Sequence, residues 1–300
     1  MLRTCPCLLA AEGLAAAVGG GVSPPEHFRS TSISHMSVLS SGGTRYVVKA
    51  VPDYFGHEGA VVAVLSAAAP GTVPAPVALG ANWWIAREFV PQGEPTARSV
   101  LDTLLAVQRA VGPRLDELRL LGVRRITGLG ILRVIEQHLD ELHGSQDGLL
   151  QRWETLATSL ARMDDPRCPV ALVHGDLNPE NVVLVAGGTL VYDWTDVSIT
   201  HPFVDLVRLH GLADFAIAAR RYVTAWSSGH DSVGQAVREA DVWGAAFQLW
   251  NYLGLVARVR AYGADLMDLG ELRDHWARAL VSSLDRLNGR PSTPNRSWWA

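Results

Sequence analysis

The stretch of sequence that most constrains the fold is residues 172–206, LVHGDLNPENVVLVAGGTLVYDWTDVSITHPFVDL. An apolar run at residues 169–173 predicts a strand, and a polar loop follows it at residues 174–181. Two β-rich runs come next, at residues 182–185 and 189–192. Because two glycines separate the β-rich runs, the pattern predicts a β-hairpin that follows the loop directly. The polar residues of the loop and hairpin are therefore expected at neighbouring strand ends.

Three side chains with oxygen atoms, Asp176, Asn181 and Asp193, occupy those predicted strand ends. Taken singly they have ordinary structural explanations, since a Gly-Asp pair after a strand forms a turn and Asn or Asp side chains stabilise turns and caps. Taken together they match the preference of Mg²⁺ for one or two carboxylates completed by water and phosphate oxygens. One carboxylate remains to accept a proton.

The motifs HGDLNPENVV, VYDW and HPFVDL resemble the catalytic core of the aminoglycoside phosphotransferase family, a branch of the protein-kinase-like fold. In protein kinases the catalytic loop is H-R-D-x-x-x-x-N, and the metal-binding aspartate lies in D-F-G. This chain keeps the spacing from Asp176 to Asn181 but has Gly175 and Trp194 in place of the Arg and the Phe. Both differences are typical of the phosphotransferase family.

This resemblance implies a role for each residue of the core. Asp176 is the implied catalytic base, and Asn181 and Asp193 are the implied Mg²⁺ ligands. His174 and Asp205 are implied supports of the catalytic loop.

Lys49 is the only lysine among the 26 Lys and Arg residues of the chain. A preference for arginine explains the others, but a site that requires a compact ammonium in place of a wide guanidinium explains the exception. Lys49 ends the β-branched run RYVVK after a Ser-Ser-Gly-Gly turn, which predicts a hairpin and a strand. The run is similar to the V-A-I-K strand of kinases, whose lysine pairs with nucleotide phosphates and with a glutamate on the next helix. That helix is predicted at residues 57–69, so Glu58 is the implied partner.

Two further segments complete the expected nucleotide site. Residues 28–35, FRSTSISH, occupy the place of the kinase glycine-rich loop but contain no glycine, so small Ser and Thr residues would approach the phosphates instead. The segment REFVPQG, residues 87–93, resembles the hinge between the lobes. The resemblance implies that Glu88 and Val90 offer backbone groups there to adenine.

The remaining sequence predicts a small β-rich lobe followed by a larger, mainly helical lobe. We predict an α+β, bilobal protein-kinase-like fold with lobes at residues 1–90 and 91–300. Helical periodicity predicts helices at residues 97–111, 131–142, 149–163, 203–226, 232–262 and 269–287, with breaks near Gly244 and Gly263. Trp243, Phe247 and Trp250 recur at helical spacing, which is typical of a buried face.

Composition narrows the functional class and the compartment. The chain of 300 residues is 48% hydrophobic with a net charge of −4, which argues against a nucleic-acid or membrane partner. Its three cysteines are too few for a disulfide framework and favour a reducing, cytoplasmic location. Glu12 interrupts the first apolar run, so we expect a short helix there and not a signal peptide.

The sequence therefore predicts a Mg²⁺-dependent phosphotransferase that moves the γ-phosphate of ATP or GTP onto a hydroxyl of a small molecule. The acceptor stays open between an antibiotic, such as an aminoglycoside, and an amino alcohol or sugar metabolite. Asp196, three residues beyond Asp193, is a candidate substrate-binding acid. Two alternatives are a nucleotide-binding regulator of the same fold and a metal-dependent phosphoesterase built on His174, Asp176 and Asp193. Nucleotidyl transfer by the same core also stays open.

Overall fold

The computed structural model describes residues 6–30, 34–226, 232–261 and 267–290. Within these ranges the strands are β1 (Glu26–Ser30), β2 (His35–Ser41), β3 (Thr44–Ala50), β4 (Pro76–Leu79), β5 (Trp83–Arg87), β6 (Arg124–Arg125), β7 (Ala171–Val173), β8 (Val182–Val185), β9 (Gly188–Val191) and β10 (Ser198–Thr200). The α-helices of the same ranges are α1 (Pro6–Val18), α2 (Glu58–Ala68), α3 (Ala97–Val111), α4 (Leu115–Leu120), α5 (Gly128–Gln137), α6 (Gln146–Leu150), α7 (Trp153–Met163), α8 (Phe215–Ala225), α9 (Val233–Ala261) and α10 (Met267–Leu287).

The chain forms two compact units. The first comprises Met1–Pro95, Ala106–Val123 and Val182–Thr195, and the second comprises Thr96–Leu105, Arg124–Asn181 and Asp196–Ala300. The division of the sequence into lobes at residues 1–90 and 91–300 stays a prediction. The first unit holds most of the strands and the second most of the helices, as an α+β class requires.

The sheet of the first unit has the strand order β1-β2-β3-β5-β4 and is antiparallel throughout. The predicted turn before Lys49 joins β2 to β3 through Gly42 and Gly43, both with positive φ, as a tight two-residue hairpin requires. Lys49 lies opposite Trp84 of β5. Buried side chains of α1 and of the central strands pack together beneath the sheet: Leu14, Leu39, Val48 and Ile85.

The hairpin β8–β9 also belongs to the first unit, and its pairing joins Val185 to Gly188 at the predicted turn. Backbone hydrogen bonds hold both of its strands. In β9, the amide of Val191 donates to the carbonyl of Thr72 at 2.8 Å. In β8, the carbonyl of Leu184 accepts the amide of Gln92 at 2.8 Å. The hairpin therefore ends in a defined position just before Asp193.

The second unit packs helices around a small sheet of order β6-β10-β7. The aromatic face predicted on α9 is buried, since Trp243 and Phe247 are inaccessible and Trp250 nearly so. The indole N–H of Trp243 donates to the carbonyl of Ser159 at 2.9 Å, which ties α9 to α7. The three-residue strand β7 is also buried, and the catalytic loop leaves from its end.

Gly244 does not break α9, contrary to the expectation from sequence. The helix runs without interruption from Val233 to Ala261. A Cβ atom at Gly244 would lie 2.5 Å from Cβ of Val207 and 2.8 Å from the carbonyl oxygen of Val204. The glycine is therefore a contact point where the helix backbone packs closely on the segment Pro202–Leu209.

Two other predicted helices are interrupted. The helix expected at 149–163 is divided into α6 and α7, and the one expected at 203–226 consists of a 3₁₀ segment, Pro202–Leu209, followed by α8. In the 3₁₀ segment seven residues are buried, so tertiary packing overrides the helical periodicity there. The break expected near Gly263 lies outside the described residues. Among the described helices, none has the length and apolar character needed to cross a bilayer.

Candidate active site

Lys49 connects three side chains of the first unit. Only 5% of the residue is exposed. Its Nζ donates to Oε1 of Glu58 at 2.8 Å, to Oδ1 of Asp193 at 2.6 Å and to Oγ1 of Thr195 at 2.8 Å. The structure therefore brings Lys49 into contact with two acidic residues that the sequence analysis had named as site residues. These are Glu58 on α2 and Asp193 after β9.

Burial and pairing act against each other in this cluster. Burial lowers the pKa of the Lys49 ammonium, but the carboxylates of Glu58 and Asp193 outweigh it and leave that pKa raised. Burial also raises the pKa of the Glu58 carboxyl, against the attraction of Lys49. A buried ion pair contributes little net stability, because both charges lose their hydration. The buried ion pair of Lys49 and Glu58 therefore indicates a functional site.

Asp193 adopts an unusual backbone conformation. Its φ of +65° makes it the only non-glycine residue with positive φ among the described residues. This region costs an L-residue roughly 1 kcal/mol, and it is tolerated best by Asn and Asp. Oδ1 of Asp193 also accepts a hydrogen bond from the Thr195 hydroxyl. The side chain keeps 40% of its surface exposed, so the carboxylate retains access from solvent.

Asp176 and Asn181 meet within the catalytic loop of the second unit. Nδ2 of Asn181 donates to the Asp176 carbonyl at 2.9 Å and to Asp176 Oδ2 at 3.2 Å. Asn178 adds a donor to the same Oδ2 at 3.1 Å. Because the amide nitrogen of Asn181 faces Asp176, its amide oxygen is the atom left for a cation.

The second carboxylate oxygen of Asp176 has different surroundings. Nη2 of Arg208 lies 2.9 Å from Oδ1 and forms an ion pair with it. Oδ1 is nevertheless buried without a hydrogen-bond donor of suitable geometry among the described residues. Arg208 therefore neutralises part of the charge of the Asp176 carboxylate.

Asp205 fastens the start of the catalytic loop. Its carboxylate accepts the amide N–H of His174 at 2.8 Å and that of Gly175 at 2.9 Å. Burial of the side chain raises the pKa of Asp205 to about 7, although the two amide donors oppose this shift. His174 is fully buried, and its Nδ1 accepts the amide N–H of Asp176 at 3.2 Å. Both residues thus shape the loop.

Gly175 occupies a place where no larger residue fits. Its φ is +86°, and a Cβ atom there would overlap the carbonyl oxygen of Asp196. Its own carbonyl accepts Nε2 of Gln248 at 2.6 Å. The Gly that replaces the kinase Arg therefore allows Asp196 to approach the loop. Asp196 is half-buried, and its carbonyl also accepts the hydroxyl of Ser198 at 3.2 Å.

The hinge candidates lie at the end of β5. The amide N–H of Glu88 donates to the carbonyl of Arg45 at 3.0 Å, so sheet pairing uses this donor. The Glu88 carboxylate accepts Nε of Arg45 at 2.6 Å. Val90 is 73% exposed, and the ring of Phe89 packs against that of Tyr192 at a centroid distance of 5.5 Å. The carbonyl of Glu88 and the backbone of Val90 are the groups that a nucleotide base could use.

Sequence reasoning missed several partners of the proposed catalytic residues. Thr195, Arg208 and Gln248 contact Asp193, Asp176 and Gly175, respectively. Arg208 could have been noticed, because it follows the HPFVDL motif closely and lies three residues after the Asp205 of that motif. Nothing in the sequence marks Gln248. The three central residues of the segment 28–35, at 31–33, lie outside the described residues.

Two side chains of the catalytic motifs have the chemistry of magnesium ligands. Asn181 in the second unit and Asp193 in the first each carry an oxygen of the kind that Mg²⁺ takes beside water and phosphates. No group of three or more His, Cys, Asp or Glu suitable for a metal occurs in the described part of the chain. A dinuclear phosphoesterase centre needs such a group, and the buried His174 is already engaged within the loop.

Solved structures with a similar fold align over most of the chain. The macrolide 2′-phosphotransferase of Brachybacterium faecium aligns with a TM-score of 0.60 at 17% identity, over 91% of this chain and 97% of its own. The GDP complex of wild-type aminoglycoside 2′-phosphotransferase-IIIa aligns with a TM-score of 0.61 at 16% identity, over 91% and 99%. The streptomycin–ATP ternary complex of APH(2″)-IIa aligns with a TM-score of 0.58 at 16% identity, over 93% of this chain and 99% of its own. The predicted bilobal kinase-like fold is thereby confirmed.

The family follows from the sequence itself. Residues 28–239 match the sequence profile of the phosphotransferase enzyme family, which is more than half of the chain. The protein therefore belongs to that family of enzymes, and the resemblance found in the catalytic core is confirmed. No curated protein sequence matches the chain significantly.

Proposed function

We propose that this protein is a phosphotransferase that moves the γ-phosphate of ATP or GTP onto a hydroxyl group of a small molecule. The observation that carries the proposal is the environment of Lys49, the only lysine of the chain, which is buried against Glu58 and Asp193. Family membership supports the same reaction. Phosphoryl transfer needs little covalent chemistry from the protein, but it needs alignment and charge neutralisation.

The nucleotide is proposed to bind along the strand that carries Lys49. The ammonium, held by Glu58, neutralises charge on the phosphates. The carbonyl of Glu88 and the amide of Val90 would meet the edge of the base, since the Glu88 amide already belongs to the sheet. An acceptor followed two residues later by a donor is complementary to the amino group and ring nitrogen of adenine.

Asn181 and Asp193 are proposed to hold Mg²⁺ together with the nucleotide phosphates. The bound cation supplies neutralisation of the charge that develops on the transferred group. The contacts of Asp193 Oδ1 with Lys49 and Thr195 support this role, because they orient the carboxylate.

Asp176 is proposed to orient the acceptor hydroxyl and to accept its proton. The hydrogen bonds from Asn178 and Asn181 to Oδ2 and the ion pair of Arg208 with Oδ1 support this role, because they fix the orientation of the carboxylate. His174 and Asp205 support the loop through its backbone. These roles are those of a catalytic base and its positioning residues.

The test is release of ADP from Mg²⁺-ATP, measured by a coupled assay with a panel of hydroxylated acceptors. We expect Asp176→Asn to lower kcat by at least about 100-fold, the range of a lost general base. Asp193→Asn should lower kcat similarly and also weaken binding of Mg²⁺-nucleotide, measured by calorimetry. The matched control is Asp165→Asn, which removes an acid that pairs with the exposed Arg167.

Each outcome separates the competing functions. Wild-type turnover in Asp176→Asn or Asp193→Asn would contradict the assignment. A nucleotide-binding regulator of the same fold would bind Mg²⁺-ATP but release no ADP with any acceptor. A nucleotidyl transferase would release pyrophosphate in place of ADP, so both products are measured.

A further inference from the structure

Thr195 stands where the kinase motif has no side chain. The segment Asp193-Trp194-Thr195 resembles D-F-G, so the threonine occupies the position of the glycine. It lies in the 3₁₀ turn that follows Asp193, and only 7% of it is exposed. The indole N–H of the inaccessible Trp194 donates to the carbonyl of Val191 at 3.0 Å, which fixes this turn against the hairpin. The chain therefore carries a hydroxyl beside Lys49 that the kinase motif does not supply.

The chemistry of its two partners fixes the direction of both hydrogen bonds of the Thr195 hydroxyl. Nζ of Lys49 lies 2.8 Å from Oγ1 of Thr195, and an ammonium can only donate, so the hydroxyl is the acceptor there. The single hydrogen of the hydroxyl is donated to Oδ1 of Asp193. Since the same Oδ1 accepts Nζ of Lys49 at 2.6 Å, the three side chains form a closed ring.

The ammonium of Lys49 has three hydrogens, and all of them are used. Nζ donates to Oε1 of Glu58 at 2.8 Å, to Oδ1 of Asp193 at 2.6 Å and to Oγ1 of Thr195 at 2.8 Å. Only 6% of the lysine side chain is exposed. A nucleotide phosphate that binds Lys49 must therefore replace one of these three acceptors.

Of the three acceptors, the Thr195 hydroxyl is the one that Lys49 can leave at least cost. Glu58 is fully buried, and a buried carboxylate that loses its cation becomes an uncompensated charge. Asp193 also presents a carboxylate, and a hydrogen bond between two charged groups is stronger than one to a neutral hydroxyl. When Lys49 turns one donor away from Thr195, the hydroxyl keeps its own bond to Asp193.

Resting on the phosphotransferase function proposed above, we propose that Thr195 is a positioning residue that occupies the third donor of Lys49 until a nucleotide phosphate takes it. The phosphate oxygen then replaces Oγ1 of Thr195 as the acceptor, and both carboxylates keep their bonds to the ammonium. Thr195 goes on donating to Asp193, so the carboxylate proposed to bind Mg²⁺ keeps its orientation when the nucleotide arrives. The hydroxyl thus opposes phosphate binding at Lys49 and supports the cation at Asp193.

The experiment separates these two effects by measuring nucleotide binding with and without the metal. Calorimetry gives the Kd of ATP in the presence of EDTA and the Kd of Mg²⁺-ATP, for the wild type and for Thr195→Val. The first constant reports the contact of the phosphates with Lys49. The ratio of the two constants reports what Mg²⁺ adds to binding.

In Thr195→Val the ammonium lacks its neutral acceptor before the nucleotide arrives. Metal-free ATP then satisfies an unpaired donor, and we expect its Kd to fall about threefold to tenfold, the range of one hydrogen bond. Asp193 loses the donor that orients it, so the ratio of the Kd of ATP to that of Mg²⁺-ATP should fall by at least about threefold. A merely structural role would weaken both forms of binding in parallel.

Controls isolate the hydroxyl from the shape of the side chain. Thr195→Ser keeps the hydroxyl and should match the wild type in both constants. Thr189→Val removes another buried hydroxyl of the first unit, on β9, and should also leave both constants unchanged. Thr195→Ala repeats the test with a smaller side chain, and circular dichroism establishes that each variant is folded.

The inference and the proposed function fail in different ways. Unchanged or weaker binding of metal-free ATP in the Val and Ala variants, or a Ser variant that behaves like them, overturns the role of Thr195 alone. Failure of both hydroxyl-free variants to fold would make Thr195 a structural residue and overturn the proposal as well. Absence of Mg²⁺-ATP binding by the wild type would remove the phosphotransferase function and this inference with it.

Discussion

At the level of single residues, the catalytic loop depends on the absence of a side chain at position 175. Gly175 has φ of +86°, lies against the carbonyl of Asp196 and presents its own carbonyl to Gln248. Its amide is one of two that Asp205 holds. The residue thus combines a left-handed backbone with close contacts on two sides, and both conditions exclude a Cβ atom.

Gly175→Ala should therefore destabilise the protein and displace Asp176. We expect a loss of roughly 2–4 kcal/mol in the free energy of unfolding, because positive φ and steric overlap act together. Urea denaturation measures the loss, and kcat should fall with it. Gly187→Ala is the control, since nothing lies within 4 Å of a Cβ there. Equal stability of the two variants would contradict this account.

Lys49 shows how much a single residue type reveals. Its identity as the sole lysine predicted a contact that requires an ammonium, and the resemblance of its strand to the kinase V-A-I-K run implied a glutamate partner on the next helix. The ion pair with Glu58 is present at 2.8 Å. Neither the third contact to Thr195 nor the ion pair of Arg208 with Asp176 follows from local sequence, because these partners come from separate elements.

At the level of elements, the short hairpins and the extent of the long helix α9 were predictable from sequence, but the continuity of that helix through Gly244 was not. The turns at residues 42–43 and 187–188 carry paired glycines, which is a local signal for a tight turn. Gly244 gives a similar local signal, yet it lies inside α9. Helix propensity treats an internal glycine as a weak point, whereas packing against Val204 and Val207 requires it.

Gly244→Ala should consequently destabilise the second unit although alanine favours helix formation. The added methyl group would meet Val207 at 2.5 Å and the Val204 carbonyl at 2.8 Å, which costs about 1–3 kcal/mol in overpacking. Gly270→Ala in α10 is the matched control, because a Cβ there meets nothing within 4 Å. We expect it to stabilise by about 0.5–1 kcal/mol. Thermal denaturation of both variants measures the difference, and a stabilised Gly244→Ala would refute the packing argument.

At the level of the whole molecule, one buried acid ties stability to pH. Asp205 is 1% exposed, and its pKa of about 7 lies well above the value of an unfolded aspartate. Between about pH 4 and 7 the native state therefore binds a proton that the unfolded state does not bind. The stability that comes from this proton is present at low pH and is lost as the pH rises through 7.

We expect this dependence to disappear in Asp205→Asn. On lowering the pH from 8 to 5.5, the wild type should gain roughly 2 kcal/mol of unfolding free energy relative to the variant. Urea denaturation across this range measures both proteins. Asp165→Asn is the control, since the Arg167 pair lowers the pKa of Asp165 to about 2 and it stays ionised throughout. Parallel pH profiles of wild type and Asp205→Asn would show that Asp205 titrates normally.

The sequence by itself determined the family, the two glycine-turn hairpins, several of the helices, and the residues proposed for nucleotide, metal and proton transfer. These features depend on neighbours in the chain: alternation, paired glycines, and the spacing from Asp176 to Asn181 and on to Asp193. Only the tertiary structure decided that Arg208 accompanies Asp176, that Asp205 has a raised pKa, and that Gly244 lies within a continuous helix. Each of these depends on burial and contact between distant segments, which the packing of elements sets and local sequence does not encode.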